Sequence, residues 1–401
     1  MLTLWCMGGV DWFKHAIIYH ILIDRFAGFT STKAWDTPEF LGGNMQGIID
    51  ALPYLKDLGV NTLWISPFYK TSAYHGYHIT DFYDCDPRFG SKDDLKQLIS
   101  SVHDHHMHII ADFVPNHCSR HHPHFQQAQQ DKSSPYNDWF FFTHWPRNYL
   151  CFLSVRDLPK LNLLNQETQD HIIKAALYWL SYGLDGFRLD HVIGPPHTFW
   201  QDFRQQVKHQ YPNAVLIGEA WMQGIRHHEL NTINLRWKHL KWLLGSSSES
   251  LFKEYRHELD GVLDFRVQEI LRDNIARHTN GKHVERVFEK LRSRYHAYEP
   301  GYYLPTFLDN HDMDRFLFEC KGNIDKLKQA VTLQFLLPQP PIIYYGTEIG
   351  MSQQRSLWTM KTHGDLQARQ PMKWHHQNKE LLDFYKKLIK ERKNRDISFP
   401  P

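Results

Sequence analysis

Within Gly186-Phe187-Arg188-Leu189-Asp190-His191, an Arg stands two residues before an Asp at the end of a short apolar run. Read as a strand, the run alternates its side chains between two faces. Arg188 and Asp190 then share one face and Leu189 takes the other. A guanidinium beside a carboxylate favours the ionised acid and predicts a low pKa for Asp190. An anionic carboxylate at the open end of a strand can serve as the nucleophile in covalent cleavage of a glycosidic bond. The same hexapeptide fits equally well a structural ion pair at a strand end. The rest of the chain has to decide between the two.

Elements that would position such a pair recur along the sequence. Short β-rich runs occupy Ala16–Ile23, Val60–Ser66, His108–Val114, Gly186–Asp190, Ala214–Glu219, Gly261–Phe265, Thr306–Asp309 and Pro341–Gly346. Helical periodicity separates them, at Gly47–Leu58, Ser91–His106, Glu167–Tyr182, Thr198–Gln210, within Arg266–Arg294 and at Asn323–Leu337. A last helix covers Asn378–Arg392. Eight strands alternating with helices predict a (β/α)8 TIM barrel, and continuous apolar runs suit strands covered on both faces. An open doubly wound sheet is the competing architecture, but the Gly-rich turn it usually carries after its first strand is absent. About fifty residues of mixed His, Pro, Asn and aromatic content follow the third strand, too long for a structureless loop. The expected organisation is therefore a catalytic barrel of residues 1–117 and 166–401, with a small inserted domain at 118–165.

In a barrel of this kind, reacting groups gather where the strands end. The third strand ends at Asp112-Phe113-Val114-Pro115-Asn116-His117, the fourth at Arg188-Leu189-Asp190-His191, the fifth at Gly218-Glu219-Ala220-Trp221 and the seventh at Asp309-Asn310-His311-Asp312. Four strand ends thus deliver carboxylates or imidazoles to one rim. Structural pairing alone does not account for four in register.

DFVPNH, GFRLDHV, GEAW and FLDNHD, in this order, closely resemble four signatures of the α-amylase family of glycoside hydrolases. Leu158-Pro159-Lys160-Leu161-Asn162 resembles a fifth, in the form seen in neopullulanases and cyclomaltodextrinases. Ala73-Tyr74-His75-Gly76-Tyr77 resembles the aromatic segment after the second strand. The resemblance runs from about Asp11 to Arg392. It implies a retaining α-glycosidase that hydrolyses malto-oligosaccharides or related short α-glucans. Asp190 would be the nucleophile, Glu219 the general acid/base, and Asp312 the third carboxylate, binding sugar hydroxyls. Arg188 would orient Asp190, His117 and His311 would hydrogen-bond the sugar, Tyr77 would stack on it, and His191 would lie on the leaving-group side. The chemistry is coherent, because an oxocarbenium-like transition state needs one anionic and one protonated carboxyl.

Departures from the family pattern qualify what is implied. His78 stands where exo-acting α-glucosidase relatives carry Asp, which leans toward endo action or longer substrates. Asn162 replaces a calcium-binding Asp of typical α-amylases while Asn116 is retained, so no cofactor and no metal are expected, with calcium left open. Thr347 replaces a more usual Asp. Arg369-Gln370-Pro371-Met372-Lys373-Trp374 resembles a pocket-shaping segment of oligosaccharide-acting members. The family's C-terminal β-sandwich is expected to be absent.

Composition bounds the alternatives. The chain has 401 residues, 46 basic against 44 acidic, and no long basic block, which argues against nucleic acid or an anionic membrane as partner. Its partner is expected to be an oligosaccharide substrate. Five cysteines (Cys6, Cys85, Cys118, Cys151 and Cys320) without a CxxC predict free thiols in a reducing cytoplasm. Met1–Val10 makes a poor signal peptide, and no membrane span is evident. The crowded histidines His103, His105, His106, His108, His121, His122 and His124 match no familiar ligand spacing and are expected on solvated surfaces. A transglycosidase built on the same site remains an alternative. A non-catalytic interaction subunit would have lost its carboxylates, and a Schiff-base aldolase would need a Lys at a strand end.

Overall fold

The structure is a computed structural model and describes residues 10–221, 248–277, 284–360 and 362–395. Cys6, the N-terminal segment Met1–Gly9 and part of the long segment before Gly261 lie outside the described residues.

Eight strands form one parallel sheet: β1 (Ile18–Ile21), β2 (Thr62–Ile65), β3 (His108–Phe113), β4 (Gly186–Leu189), β5 (Val215–Gly218), β6 (Gly261–Val262), β7 (Thr306–Phe307) and β8 (Pro341–Tyr344). Each coincides with one of the eight β-rich runs. Their spatial order is β6-β5-β4-β3-β2-β1-β8-β7. Every strand therefore lies beside its sequence neighbour, and the order nowhere reverses as it does at the switch point of a doubly wound sheet. The two ends of the sheet are joined as well. Val262 N donates to Tyr303 O at 3.1 Å, Tyr303 N to Asp260 O at 2.8 Å, and Asp264 N to Pro305 O at 2.9 Å. This arrangement is consistent with the (β/α)8 fold.

Helices fill the crossovers as the periodicity predicts. Lys92–Asp104 precedes β3, Gln166–Leu180 precedes β4, His197–Gln210 precedes β5 and Ile324–Leu336 precedes β8. Several begin with the punctuation that satisfies orphan N–H groups: a Ser91/Asp94 capping box, and Asn165, Asn323 and Asn378 as N-caps. The last helix, Lys379–Lys393, anchors Arg392 to the carbonyls of Phe335, Leu337 and Gln339 at 2.7–2.8 Å. Those acceptors form the turn that leads into β8. The strands are buried on both faces, which accounts for their uninterrupted apolar character.

Two excursions leave this scheme on the C-terminal side of the sheet. Between β2 and β3, an antiparallel pair (Tyr69–Thr71 with Ile79–Cys85) carries Tyr77 in its connection. Between β3 and the helix at Gln166, residues 118–165 build a helix (Pro123–Gln130), a 3-10 turn (Asn137–Trp139) and a small antiparallel pair (Phe142–His144 with Asn148–Tyr149). Bridges His117↔Lys160, Phe140↔Leu161 and Cys151↔Pro159 run back along this segment.

One expectation is corrected here. His121 is exposed, but His122 is buried and His124 half-buried, so this cluster does not lie wholly on the solvated surface. His124 stacks on Tyr136 at 3.8 Å, and its ring lies 4.9 Å from His122 and 5.5 Å from His171. Neutral imidazoles serve there as flat, packable rings.

Candidate active site

The site is built from the sheet outward. His20 of β1 stacks on Trp64 of β2 at 3.7 Å, and Trp64 Nε1 donates to Asp112 Oδ2 of β3 at 2.8 Å. Asp112 is in register with Arg188 of β4 and forms an ion pair with it. All four side chains are buried. They form a chain of contacts running across four adjacent strands inside the sheet. Arg188 emerges from these contacts pointing at the rim.

At the rim, the strand register brings the acids together. Asp190 N donates to Phe113 O at 2.9 Å, and Glu219 N donates to Leu189 O at 2.8 Å. Asp190 and Glu219 thus continue adjacent strands, each one residue past the end of its own. Arg188 Nη1 lies 2.9 Å from Asp190 Oδ1, and Arg188 Nη2 makes an ion pair with Glu219 Oε1. One guanidinium serves three carboxylates: Asp112, Asp190 and Glu219. The chain then turns sharply, with His191 at φ 45°, a left-handed conformation that a non-glycine residue holds only under constraint. That turn points His191 N at Glu219 Oε2, 3.3 Å away.

Asp312 arrives from the loop after β7. Its Oδ2 lies 3.0 Å from His311 Nε2 and its Oδ1 2.8 Å from Arg369 Nη2. Arg369 also pairs with Asp365 at 2.7 Å and is buried, its Nη1 donating to the Tyr74 hydroxyl at 3.3 Å. Tyr77 closes the base: its hydroxyl donates to Asp112 Oδ2 at 2.9 Å and its ring stacks on His311 at 5.2 Å. His117 stacks on Phe152 at 4.7 Å.

A cavity of about 320 Å³ opens onto these groups and is lined by Tyr77, His117, Asp190, His191, Glu219, His311 and Asp312. Seven of the eight residues singled out from the sequence therefore face one space, and the eighth, Arg188, lies directly beneath it. Sequence reasoning missed the cavity's apolar wall of Phe152, Leu153, Leu158, Leu357 and Trp358. It also gave no individual role to Arg369 or Asp112. Asp112 opens a quoted strand-end motif, and that place was the available signal. Nothing local marks Trp358.

The electrostatics depart from one expectation. Burial pushes the Asp190 carboxyl well above its ordinary value; Arg188 pulls it down, and Glu219, Asp112 and Asp312 push it up again. The predicted low pKa does not hold because Arg188 is shared among several acids rather than dedicated to one. Asp312 behaves oppositely. Burial works against its ionisation, but His311 and the Arg369 and Arg188 guanidiniums outweigh it and hold the carboxyl below the usual range. Burial also drives His117 and His20 well below the ordinary imidazole value, so both rings are neutral.

The residues do not fit a calcium ion. Asn116 Oδ1 accepts from Lys160 Nζ at 3.1 Å, and the same buried ammonium donates to Gly194 O at 2.8 Å. Asn162 uses its side chain on Asp138 O and Leu164 N. Calcium takes six or more oxygens, commonly with several carboxylates among them, and here an ammonium holds the oxygens instead. Among the described residues, no group of three or more His, Cys, Asp or Glu side chains is placed to hold a metal ion.

The chain matches the family model "Alpha amylase, catalytic domain" over residues 20–148 and 143–380. It is 37% identical over 389 residues to Alpha-amylase 2 of Dictyoglomus thermophilum, covering 96% of this chain and 64% of that protein. It is 32% identical over 408 residues to Neopullulanase 2 of Thermoactinomyces vulgaris, covering 95% and 63%. The chain thus spans less than two thirds of the length of these relatives. Among solved structures, the ligand-free cyclic α-maltosyl-(1→6)-maltose hydrolase from Arthrobacter globiformis superposes with a TM-score of 0.81 at 25% identity, covering 97% of this chain and 85% of that one.

Proposed function

The chain belongs to the α-amylase catalytic-domain family, and from that premise we propose that it is a retaining α-glycosidase hydrolysing α-glucosidic bonds in malto-oligosaccharides or related short α-glucans. The observation that carries this reading is the shared guanidinium: Asp190 and Glu219 meet on Arg188 at the ends of adjacent strands, beside Asp312, in one cavity.

Asp190 attacks the anomeric carbon while Glu219 protonates the departing glycosidic oxygen, leaving a glycosyl ester on Asp190. Glu219, now a carboxylate, takes a proton from water, whose oxygen displaces Asp190 and restores the original anomeric configuration. Asp312, kept anionic by His311 and Arg369, accepts from sugar hydroxyls and supports positive charge on the ring. His117 and His311 hydrogen-bond the sugar, Tyr77 stacks on it, and His191 lies toward the leaving group. In this reading residues 118–165 are an inserted domain that walls one side of the cleft through Phe152, Leu153 and Leu158, and the eight-stranded sheet with its helices is the catalytic barrel.

The free thiols Cys85, Cys118, Cys151 and Cys320 support a cytoplasmic location. Among the described residues, no helix is long and apolar enough to cross a membrane.

The test is maltotriose cleavage followed by proton NMR, in the wild type and in Asp190→Asn and Glu219→Gln. The α-anomer should appear first, and each substitution should cost roughly three or more orders of magnitude in rate. Initial release of the β-anomer, or full activity in either variant, would sink the assignment.

A further inference from the structure

Trp358 is 60% exposed, the most exposed of the large apolar side chains among the described residues, yet it lines the same cavity as Asp190 and Glu219. Single exposed hydrophobics are ordinary on a protein surface. This one is unusual in how firmly its backbone is held. It sits in a one-turn 3-10 helix, Leu357–Thr359, whose N-cap Ser356 accepts from Trp358 N at 3.3 Å. The buried carboxylate of Asp314, two residues beyond Asp312, accepts from Ser356 Oγ at 2.6 Å, from Leu357 N at 2.8 Å and from Gln353 Nε2. A buried charge thus fixes the loop after β8 to the loop after β7, and the ring it carries is left uncovered. Order without burial marks a surface prepared for something else to cover.

Its neighbours identify the occupant. Trp358 meets Trp221 edge-on at 6.3 Å, and Trp221 is stacked flat on Phe265 at 5.2 Å. Trp221 follows Glu219 by two residues, so this aromatic corner adjoins the proposed acid and the departing oxygen. Arg369 and Asp365 bind around Asp312 instead. An indole beside the leaving-group oxygen suits the apolar face of a pyranose ring.

We propose that Trp358 is a stacking platform for the glucosyl unit on the leaving-group side, and for a sugar acceptor in transfer, with Asp314 as its positioning residue. This rests on the glycosidase reading above. In transfer, the acceptor hydroxyl oxygen bonds to the anomeric carbon of the glycosyl ester, the bond to Asp190 breaks with its electron pair returning to the carboxylate, and the hydroxyl proton passes to Glu219.

The experiment compares maltotetraose, which places sugar on Trp358, with α-maltosyl fluoride, whose leaving group is too small to reach it. Trp358→Ala should lose about tenfold more kcat/KM on maltotetraose than on α-maltosyl fluoride, chiefly through KM, the loss expected for about 1.4 kcal/mol of stacking. It should also lower the ratio of transfer to hydrolysis when maltose is added as acceptor to α-maltosyl fluoride. Trp358→Phe should recover most of both losses, and Asp314→Asn should reproduce the substrate-selective KM effect. Equal losses on the two substrates, or no loss on either, would overturn the platform. A wild-type protein inactive on both would instead overturn the glycosidase reading, and this inference with it.

Discussion

Arg188 Nη1 lies 2.9 Å from Asp190 Oδ1, and the same buried guanidinium also holds Asp112 and Glu219. The strand-end acid is therefore not paired privately with its neighbour in sequence; it competes for a shared cation. Arg188→Lys keeps the charge but loses the planar fork that reaches several acids at once. Asp190 then loses its strongest downward pull, its pKa rises further, and the acid limb of kcat/KM moves to higher pH. A fall in kcat of about a hundredfold or more should accompany the shift. An unchanged limb in a folded variant would show that Arg188 does not govern the ionisation of Asp190.

Asp312 should behave as a constant anion. His311 and Arg369 hold its carboxyl below the usual range, so it titrates in neither limb of a profile taken between about pH 4 and pH 9. Asp312→Asn should lower kcat/KM by about two orders of magnitude or more at every pH, leaving the limb positions in place. Movement of either limb in that variant would contradict the ion-pair account.

Lys160 takes the part of an internal cation between Asn116 and Gly194. Lys160→Met fills the volume but strands two buried acceptors, at a cost of about 1–3 kcal/mol each. Its Tm should fall by several degrees, with no recovery on adding calcium. A chelator should leave the wild-type Tm unchanged. A wild-type melt that drops with chelator would show that a metal, and not this ammonium, holds the loops together.

Asp185, before β4, lies 2.9 Å from His103 Nε2, with which it hydrogen-bonds, and 3.1 Å from His108 Nδ1. Burial opposes its ionisation, but these imidazoles and the Ile109 N–H hold its pKa down at about 2, while the hydrogen bond to Asp185 raises that of His103. The carboxylate's contribution is present above about pH 4 and lost as pH falls toward 2. That of His103 is complete below about pH 6.5 and is lost as pH rises through its folded value. The Tm deficit of Asp185→Asn should thus be larger near pH 5.5 than near pH 9. A deficit that grew with pH would contradict the pairing.

The sequence by itself determined the alternation of eight apolar runs with amphipathic helices, the long interruption after the third strand, and the acids and imidazoles at four strand ends. These features are local: side-chain period, capping residues and motif spacing are written in neighbouring positions. Tertiary structure decided which groups touch. Arg188 meets Asp112 from 76 residues away and Arg369 meets Asp312 from 57 residues away. Ring closure and burial, which no local pattern encodes, turn a predicted private pair into one cation among three acids and reverse the expected direction of the Asp190 pKa. They also put an ammonium where calcium was left open, and leave Trp358 ordered but bare beside the reacting groups. Those outcomes depend on what is excluded from water and what is brought against it, and the chain settles that only when the sheet curls and its loops meet over the rim.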